Sequence, residues 1–388
     1  MTIKIRQAHP GDTTALTDIM HRSKAYWGYD DDKMGGFRSA FRICQSDISA
    51  YDMLIAERNG KPVGFAGGRL GTAEEAQVYQ IVYLFIAPEG IKQGLGLLLL
   101  TRLSDLARAG GATLLRLESD HFAVDFYQHN GFQPVDSRPS KMAPTGKIPV
   151  LEKAIPTSIV PLQDIKLKLD RGTSWCFETE NHAAIESHWQ DALRHNPHLW
   201  NGRTLKLSGH SFKDGVFEGT CMECSFAAFL TWRDWGAPDL TAFNLFGSAI
   251  LRSSDGALLY GVMSDKTANA GKVYPPGGNL DPSDVLADGT VDVYGAIFRE
   301  LEEETGLSRS DVSPGERFAV FDGPRISIAQ VLDVDKPAED LARDIVAFSL
   351  ASEEQELADI RILRNQGDLY SPDLVSYARA LARHLLPI

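Results

Sequence analysis

Two successive α/β domains of the α+β type, each a mixed sheet with flanking helices, are what this sequence predicts. Three observations predict it. The chain has 388 residues, and single domains usually hold about 100–200. Strand-like alternation and helical spacing of apolar residues follow one another in both halves. Between the halves lies PTSIVP, framed by Pro156 and Pro161, with no period of its own. The expected division is a domain over 1–155, a linker over 156–165 and a second domain over 166–388.

In the first half IKIRQAH alternates as a short strand, and DTTALTDIMHRSKAYW has helical spacing with Asp12 or Thr13 at its N-cap. DMLIAERNGKPVGFAGGRL reads as two strands around an Asn59-Gly60 turn, a hairpin signature. VYQIVYLFIA is rich in β-branched and aromatic residues and suits a central strand. LGLLLLTRLSDLARAG is an amphipathic helix ending at Gly110-Gly111. TLLRLES is a strand, HFAVDFYQHNGF a short helix closed by Gly131, and KIPVLEKAI a last strand.

In the second half HAAIESHWQDALRH is helical, NGRTLKLSGHSF is a turn and a strand, and GSAILRSSDGALLYGVM is two strands around Asp255-Gly256. VYGAIFRELEEET is a helix stopped by Gly306. RFAVFDG, ISIAQVLDV and DIVAFSL read as strands, and LVSYARALARHLL as a closing amphipathic helix. No internal repeat is visible, and the halves do not resemble each other.

Composition narrows the function. Hydrophobic content of 43% and charged content of 23% are ordinary for globular protein. A net charge of −13 argues against a broad nucleic-acid groove, which needs clustered Lys and Arg. The 4 cysteines do not make a disulfide scaffold. Cys221 and Cys224 form a C-x-x-C, but no second pair or nearby His completes a zinc site, and the apolar flanks favour a core position. No run approaches the roughly 20 apolar residues of a membrane span. The expectation is a cytoplasmic protein without nucleic-acid or membrane partners, its oligomeric state open and a homodimer allowed.

The acidic stretch AIFRELEEETGL, 296–307, raises the main question. On a helix, Glu300, Glu303 and Glu304 stand at i, i+3 and i+4 and share one face, where like charges repel. Interleaved lysines would relieve a merely solvated face, and there are none. A hard divalent cation, which takes oxygen ligands, would turn the crowding to advantage. A solvated acidic face is the competing explanation.

Arg299 to Leu307, RELEEETGL, fits R-E-U-x-E-E-x-G-U, where U is a bulky aliphatic. With YPPGGNLDPSD upstream, this stretch closely resembles the Nudix box. The resemblance implies a Nudix-like α/β/α sandwich that hydrolyses a nucleoside diphosphate linked to another moiety, with Mg²⁺ or Mn²⁺. It implies Glu300, Glu303 and Glu304 as metal ligands, Arg299 as the residue orienting them, and Gly306 and Gly278 as the loop glycines. Glu300 and a glutamate of SEEQE (Glu353, Glu354 or Glu356) are the candidates for general base, although SEEQE also reads as an acidic helix N-terminus. The family's upstream glutamate is missing. Asp284 stands six residues after Gly278, but fourteen residues separate it from Arg299, an insertion of about seven (VLADGTV). NPHLWNG (196–202) and TWRDWG (231–236) are similar to the branch that cleaves UDP-glucose and UDP-galactose, and they read equally as aromatic core. A ligand sensor without turnover is the rival of another class.

VYLFIAPEGIKQGLGLLLLTRL places a glycine turn between a strand and a helix, a place where backbone N–H groups can meet an anion. Leu99 stands where a dinucleotide fingerprint needs its third glycine, and no Gly-Lys-Ser/Thr makes a P-loop. A tight turn with no ligand remains open. The order of elements, Ala87-Pro88 before Gly94 and Gly96, and the F-Y-x-x-x-G-F of 126–132 resemble the GNAT acetyltransferases. Ile91 replaces the Gln or Arg of that pattern. The resemblance implies a GNAT-like mixed sheet and acetyl-CoA as donor to an amine. It implies cofactor contacts from Phe85, Ile86, Lys92, Gln93, Gly94, Leu95 and Gly96, and Tyr127 as the acid for the departing thiolate. The acceptor's base is not identified; Glu74, Glu75 and Tyr79 lie near the right strand. HRSKAYWGYDDD, 21–32, mixes aromatics and acids and would suit a cationic acceptor.

Overall fold

The computed structural model describes residues 3–71, 78–109, 112–139, 146–239, 241–352 and 355–387. Glu74, Glu75, Gly110, Gly111, Glu353 and Glu354 lie outside them. The chain divides into two compact units. One is Met1–Pro156 with Asp234–Pro238, the other Thr157–Arg233 with Asp239–Ile388. Among the described residues no helix is long and apolar enough to cross a membrane.

The first unit runs β1 (Ile3–Gln7), α1 (Thr13–Ala25), α2 (Asp31–Ala40), α3 (Gln45–Ala50), β2 (Asp52–Arg58), β3 (Lys61–Leu70), β4 (Val78–Ile86), α4 (Leu95–Ala109), β5 (Leu114–Glu118), α5 (Val124–His129), β6 (Gln133–Pro139) and β7 (Lys147–Ala154). The described strands form one seven-stranded sheet in the order β1-β2-β3-β4-β5-β7-β6. Asn59 and Gly60, at φ 51° and 75°, make the hairpin turn between β2 and β3. Alternation divides the strands between two cores. Leu54, Ala56, Tyr79 and Ile81 pack with α4 residues such as Leu99 and Leu103. Met53, Ile55 and Phe65 face the other way, against Leu16, Met34 and Phe37. Helices α2 and α3 and strand β6 are elements that the sequence reading does not locate.

The second unit begins earlier than expected. Residues 158–161 are not a linker but form β8 (Ser158–Pro161), paired with β15 (Ser313–Asp322). Then come β9 (Asp164–Leu169), α6 (Cys176–Glu180), α7 (His182–His195), β10 (Arg203–Lys213), β11 (Val216–Ser225), α8 (Phe226–Asp234), β12 (Asn244–Ser253), β13 (Leu258–Met263), β14 (Val273–Tyr274) and α9 (Val293–Thr305). The chain closes with β15 (Ser313–Asp322), β16 (Arg325–Val334), α10 (Ala338–Ala351), β17 (Leu357–Leu363) and α11 (Ser376–Leu385). A mixed sheet runs β14-β13-β12-β16-β15-β8, with β17 also on β13, and a smaller sheet runs β10-β11-β9. One face of the larger sheet, including Ala249, Leu259 and Ile328, packs on Ile297, Leu301, Leu341 and Ile345 of α9 and α10. The other, including Ile250, Tyr260 and Val331, packs on Tyr377, Ala378 and Leu381 of α11. The layers of this unit are therefore helix, sheet and helix.

One strand expectation fails. DIVAFSL lies inside helix α10, not in a strand. Its β-branched run is short, whereas Ala338, Leu341, Ile345 and Ser349 are buried at helical spacing, and Glu339 and Asp340 fall in the first turn. Of SEEQE, the described Ser352, Gln355 and Glu356 lie between the end of α10 at Ala351 and the start of β17 at Leu357 and are not helical. Cys221 and Cys224 lie buried on β11, and burial pushes both thiols up to about 12.

Candidate functional sites

In the first unit the sheet opens at β4. Its parallel ladder with β5 covers Val78 to Ile81 and stops there, while the antiparallel ladder with β3 continues to Phe85 and Ile86. Among the described residues, the strand edge from 82 to 86 on the β5 side has no ladder partner. The chain then enters a tight turn. Lys92 and Gly94 take positive φ of 63° and 79°, Gln93 donates to the Glu89 carbonyl at 2.8 Å, and α4 starts at Leu95. A Cβ on Gly94 would meet nothing within 4 Å, so the space over this turn is open. The first N–H groups of an α-helix such as α4 have no partner inside the helix. Gly96 serves differently: a Cβ there would lie 3.2 Å from the Phe126 ring, so its small size lets α5 pack close.

Tyr127 sits on α5, buried between Phe126 and Phe132. Burial, with the charge of Asp120 added, pushes its phenol well above the usual range, so it stays protonated. Tyr79 is buried and donates to Asp52 at 3.0 Å, which leaves it no role as a free base.

In the second unit α9 carries the acidic face. Arg299 donates to Glu300 at 2.9 Å, to Glu303 at 3.0 Å and to both oxygens of Asp284 at 3.2 and 3.3 Å. Glu304 is 4% exposed and accepts from the Gly277 N–H at 2.8 Å. Its second oxygen is buried without a partner. The glycine loop presses on these acids. A Cβ on Gly278 would fall 2.4 Å from the Glu300 carboxylate, and one on Gly277, at φ 154°, would fall 2.2 Å from the Gly247 carbonyl oxygen. Gly306, at φ 73°, ends the helix in the left-handed conformation.

The carboxylates are stressed by this placement. Burial, with Glu303 and Glu356 adding repulsion, pushes Glu300 up to about 7 against the pull of Arg299. Glu304 goes well above its ordinary range through burial and the charges of Glu300 and Glu356. Of the SEEQE glutamates, Glu356 therefore lies near the acidic face. Such acids, one with an orphaned oxygen, have the donor chemistry of a hard divalent cation. Their side chains are not gathered: among the described residues no group of three or more His, Cys, Asp or Glu is arranged to hold a metal ion.

The insertion before Arg299 is a closed hairpin. Val285 bridges Val291, Leu286 donates to the Thr290 carbonyl at 2.8 Å, and Asp292 donates to the Asp284 carbonyl at 2.8 Å. The two ends of the inserted loop therefore meet, and Asp284 reaches Arg299 as if the loop were absent. The loop is also tied to β9: Lys168 reaches Asp288 and Thr290, and Leu169 donates to the Gly289 carbonyl at 3.0 Å. Of the aromatic segments, Trp232 and Trp235 are core residues while Trp200 is 80% exposed.

Sequence reasoning missed Lys206. It lies on β10, fully buried, its amine without a hydrogen-bond partner. The rings of Trp232, Phe229 and Trp175 surround it at 3.5, 4.9 and 5.4 Å. Burial pulls its pKa down to about 7, against the weaker pull of Cys224 and Asp239. Only the alternation of TLKLS, which places Lys206 opposite Leu205 and Leu207 on the pleat, carried a hint.

Comparison with known proteins touches the first unit. Residues 18–132 match the Acetyltransferase (GNAT) family. An uncharacterized N-acetyltransferase of Bacillus subtilis, YhfO, is 27% identical over 136 residues, 34% of this chain and 90% of that protein. The PaiA N-acetyltransferase of Thermoplasma acidophilum, solved with coenzyme A, is 18% identical, with a TM-score of 0.34, over 40% of this chain and 99% of that one. The ribosomal-protein-S18-alanine N-acetyltransferase of Escherichia coli is 20% identical, with a TM-score of 0.31, over 40% of this chain and 96% of that one. What the family match supports is a GNAT acetyltransferase domain in the N-terminal region of the chain.

Proposed function

We propose that the chain carries two activities. The first unit transfers an acetyl group from acetyl-CoA to an amine; the second hydrolyses a nucleoside diphosphate linked to another moiety, a nucleotide sugar being one candidate class. The acetyl-transfer reading is carried by the family match over 18–132. The open β4 edge and the Gly94 turn support it. Coenzyme A's pyrophosphate meets the N–H groups of 92–96, contributed by Lys92, Gln93, Gly94, Leu95 and Gly96. The pantetheine arm follows β4, and an N–H near Phe85 or Ile86 polarises the acetyl carbonyl. Tyr127, held protonated, gives its proton to the thiolate. Acetyl-CoA at 100 times its Kd stabilises the folded unit by about 2.7 kcal/mol, so the melting temperature rises. No rise at millimolar acetyl-CoA refutes this half.

The hydrolase reading rests on one observation: the buried Glu304, one oxygen without a partner, beside the half-buried, Arg299-paired Glu300 beneath the Gly277-Gly278 loop. Glu300, Glu303 and Glu304 would hold Mg²⁺ or Mn²⁺. When bound, the ion supplies charge neutralisation of the pyrophosphate and a more acidic water. Arg299 orients Glu300 and Glu303, Asp284 anchors Arg299, and Glu300 or Glu356 takes the water's proton. Replacing Glu304 with Gln is expected to reduce turnover by at least ~100-fold with the fold retained. The assay is product chromatography over nucleotide sugars, ADP-ribose, dinucleotides and coenzyme A with each metal. Full activity in the variant refutes the roles. A second reading, a nucleotide sensor, is favoured by the ungathered acidic side chains. Ligand binding without any cleavage in the same panel selects it.

A further inference from the structure

The end of α1 and the end of β5 meet around one ammonium group. Lys24 donates to Asp120 and, at 3.3 Å, to the Tyr29 hydroxyl. Its amine lies 4.4 Å from the centre of the Tyr29 ring and 5.6 Å from that of Phe37. Tyr29 donates to Asp120 at 2.6 Å, and Asp120 also accepts from the Phe122 N–H at 3.0 Å. A carboxylate, a phenol and two ring faces make a complete set for binding a primary ammonium. Here the chain's own lysine fills it.

Two features place this set beside the acetyl-transfer cleft. Asp120 follows β5 just beyond the point where β4 and β5 part, and it caps the turn that leads into α5, the helix of Tyr127. The phenol of Tyr127 feels the Asp120 charge. Aromatic surface surrounds the set without being buried. Tyr26, Trp27 and Phe122 are 48%, 39% and 51% exposed, and Trp27 stacks on Phe122 with centroids 6.0 Å apart. Large apolar side chains left open beside a charged anchor indicate a ligand with one cationic end and an apolar body.

We propose that Asp120, Tyr29 and Phe37 form the ammonium subsite of the acetyl acceptor, that Lys24 occupies it in the free chain, and that the acceptor is a primary amine with an apolar body resting on Trp27 and Phe122. This rests on the acetyl-transfer reading. The ammonium displaces Lys24, is held by the Asp120 carboxylate, and loses one proton to water before it reacts. The amine nitrogen bonds to the acetyl carbon and the carbon–sulfur bond breaks. Tyr127 protonates the departing thiolate, and the proton shed by the new amide nitrogen restores Tyr127.

The test measures coenzyme A release from acetyl-CoA with phenethylamine, butylamine and spermidine on the full chain. Phenethylamine is expected to have the lowest KM. Asp120→Asn raises that KM at least tenfold while the acetyl-CoA thermal shift persists. Lys24→Gln lowers it several-fold, because the internal competitor is gone. Trp27→Ala raises KM for phenethylamine and leaves butylamine unchanged. An unchanged KM in Asp120→Asn, or an unchanged or raised KM in Lys24→Gln, overturns the subsite. So does the absence of acetylation of all three amines when acetyl-CoA still shifts the melting temperature. Lys24→Gln decides the matter if Asp120→Asn does not fold. The absence of any acetyl-CoA shift removes the underlying reading instead, so the two failures are distinguishable.

Discussion

Lys206→Met tests the energetics of the second unit most directly. The wild-type amine is enclosed by three aromatic rings with no anion in hydrogen-bond reach. Its pKa falls to about 7 when folded, against about 10.4 in the unfolded chain. Between those values the unfolded state binds the extra proton and the native state does not. Stability therefore rises with pH by up to about 1.36 kcal/mol per unit across that window. It is full above the unfolded pKa and is lost as pH falls toward 7. From pH 7 to 9 the wild type should gain ~2.3 kcal/mol relative to the variant, which has no group to titrate there. Methionine keeps the chain length and removes the charge, so at pH 7 the variant is expected to be the more stable. The assay is calorimetry of the second unit's transition at pH 6, 7, 8 and 9, with tryptophan emission as a local reporter. The ring faces attract an ammonium and act against burial. A stability difference that stays flat from pH 6 to 9, with the variant weaker throughout, would mean that they win and that Lys206 stays charged. That result refutes the argument.

Two further predictions concern the glycine loop and the inserted hairpin. Gly278→Ala should displace the Glu300 carboxylate, because the new methyl falls 2.4 Å from it; Mg²⁺ titration of turnover is expected to need more metal, while the melting temperature moves little. Excising 286–290 and joining the ends with one glycine should keep Asp284 on Arg299, since the hairpin closes on itself. The cost should fall on the docking of β9, as a lower melting temperature with metal dependence intact, read by calorimetry and the same turnover assay.

The acidic face shows how far spacing reaches. Glu300, Glu303 and Glu304 stand at i, i+3 and i+4 of α9, as 3.6 residues per turn require, while Glu304 is buried and Glu303 exposed. Arg299 meeting Glu303 follows from the same period. The insertion shows where spacing stops. Counting along the chain separates Asp284 from Arg299, yet a hairpin closed by the Val285–Val291 bridge brings them within 3.2 Å. Backbone hydrogen bonds across the hairpin decide that, and counting residues along a helix does not reveal them.

The sequence by itself determined the order of most elements, the hairpin at Asn59-Gly60, the glycine turn before α4 and the acidic helix. Each follows from periodicity or from a residue's own conformational range, which act over a few neighbours. Only the tertiary structure decided that DIVAFSL is helical, that 158–161 belongs to a sheet, and that β4 parts from β5 beyond Ile81. It alone enclosed Lys206 in aromatic rings and set Lys24 against Asp120. Burial and long-range pairing are properties of the packed chain. They override local preference wherever a segment's partners lie far along the sequence.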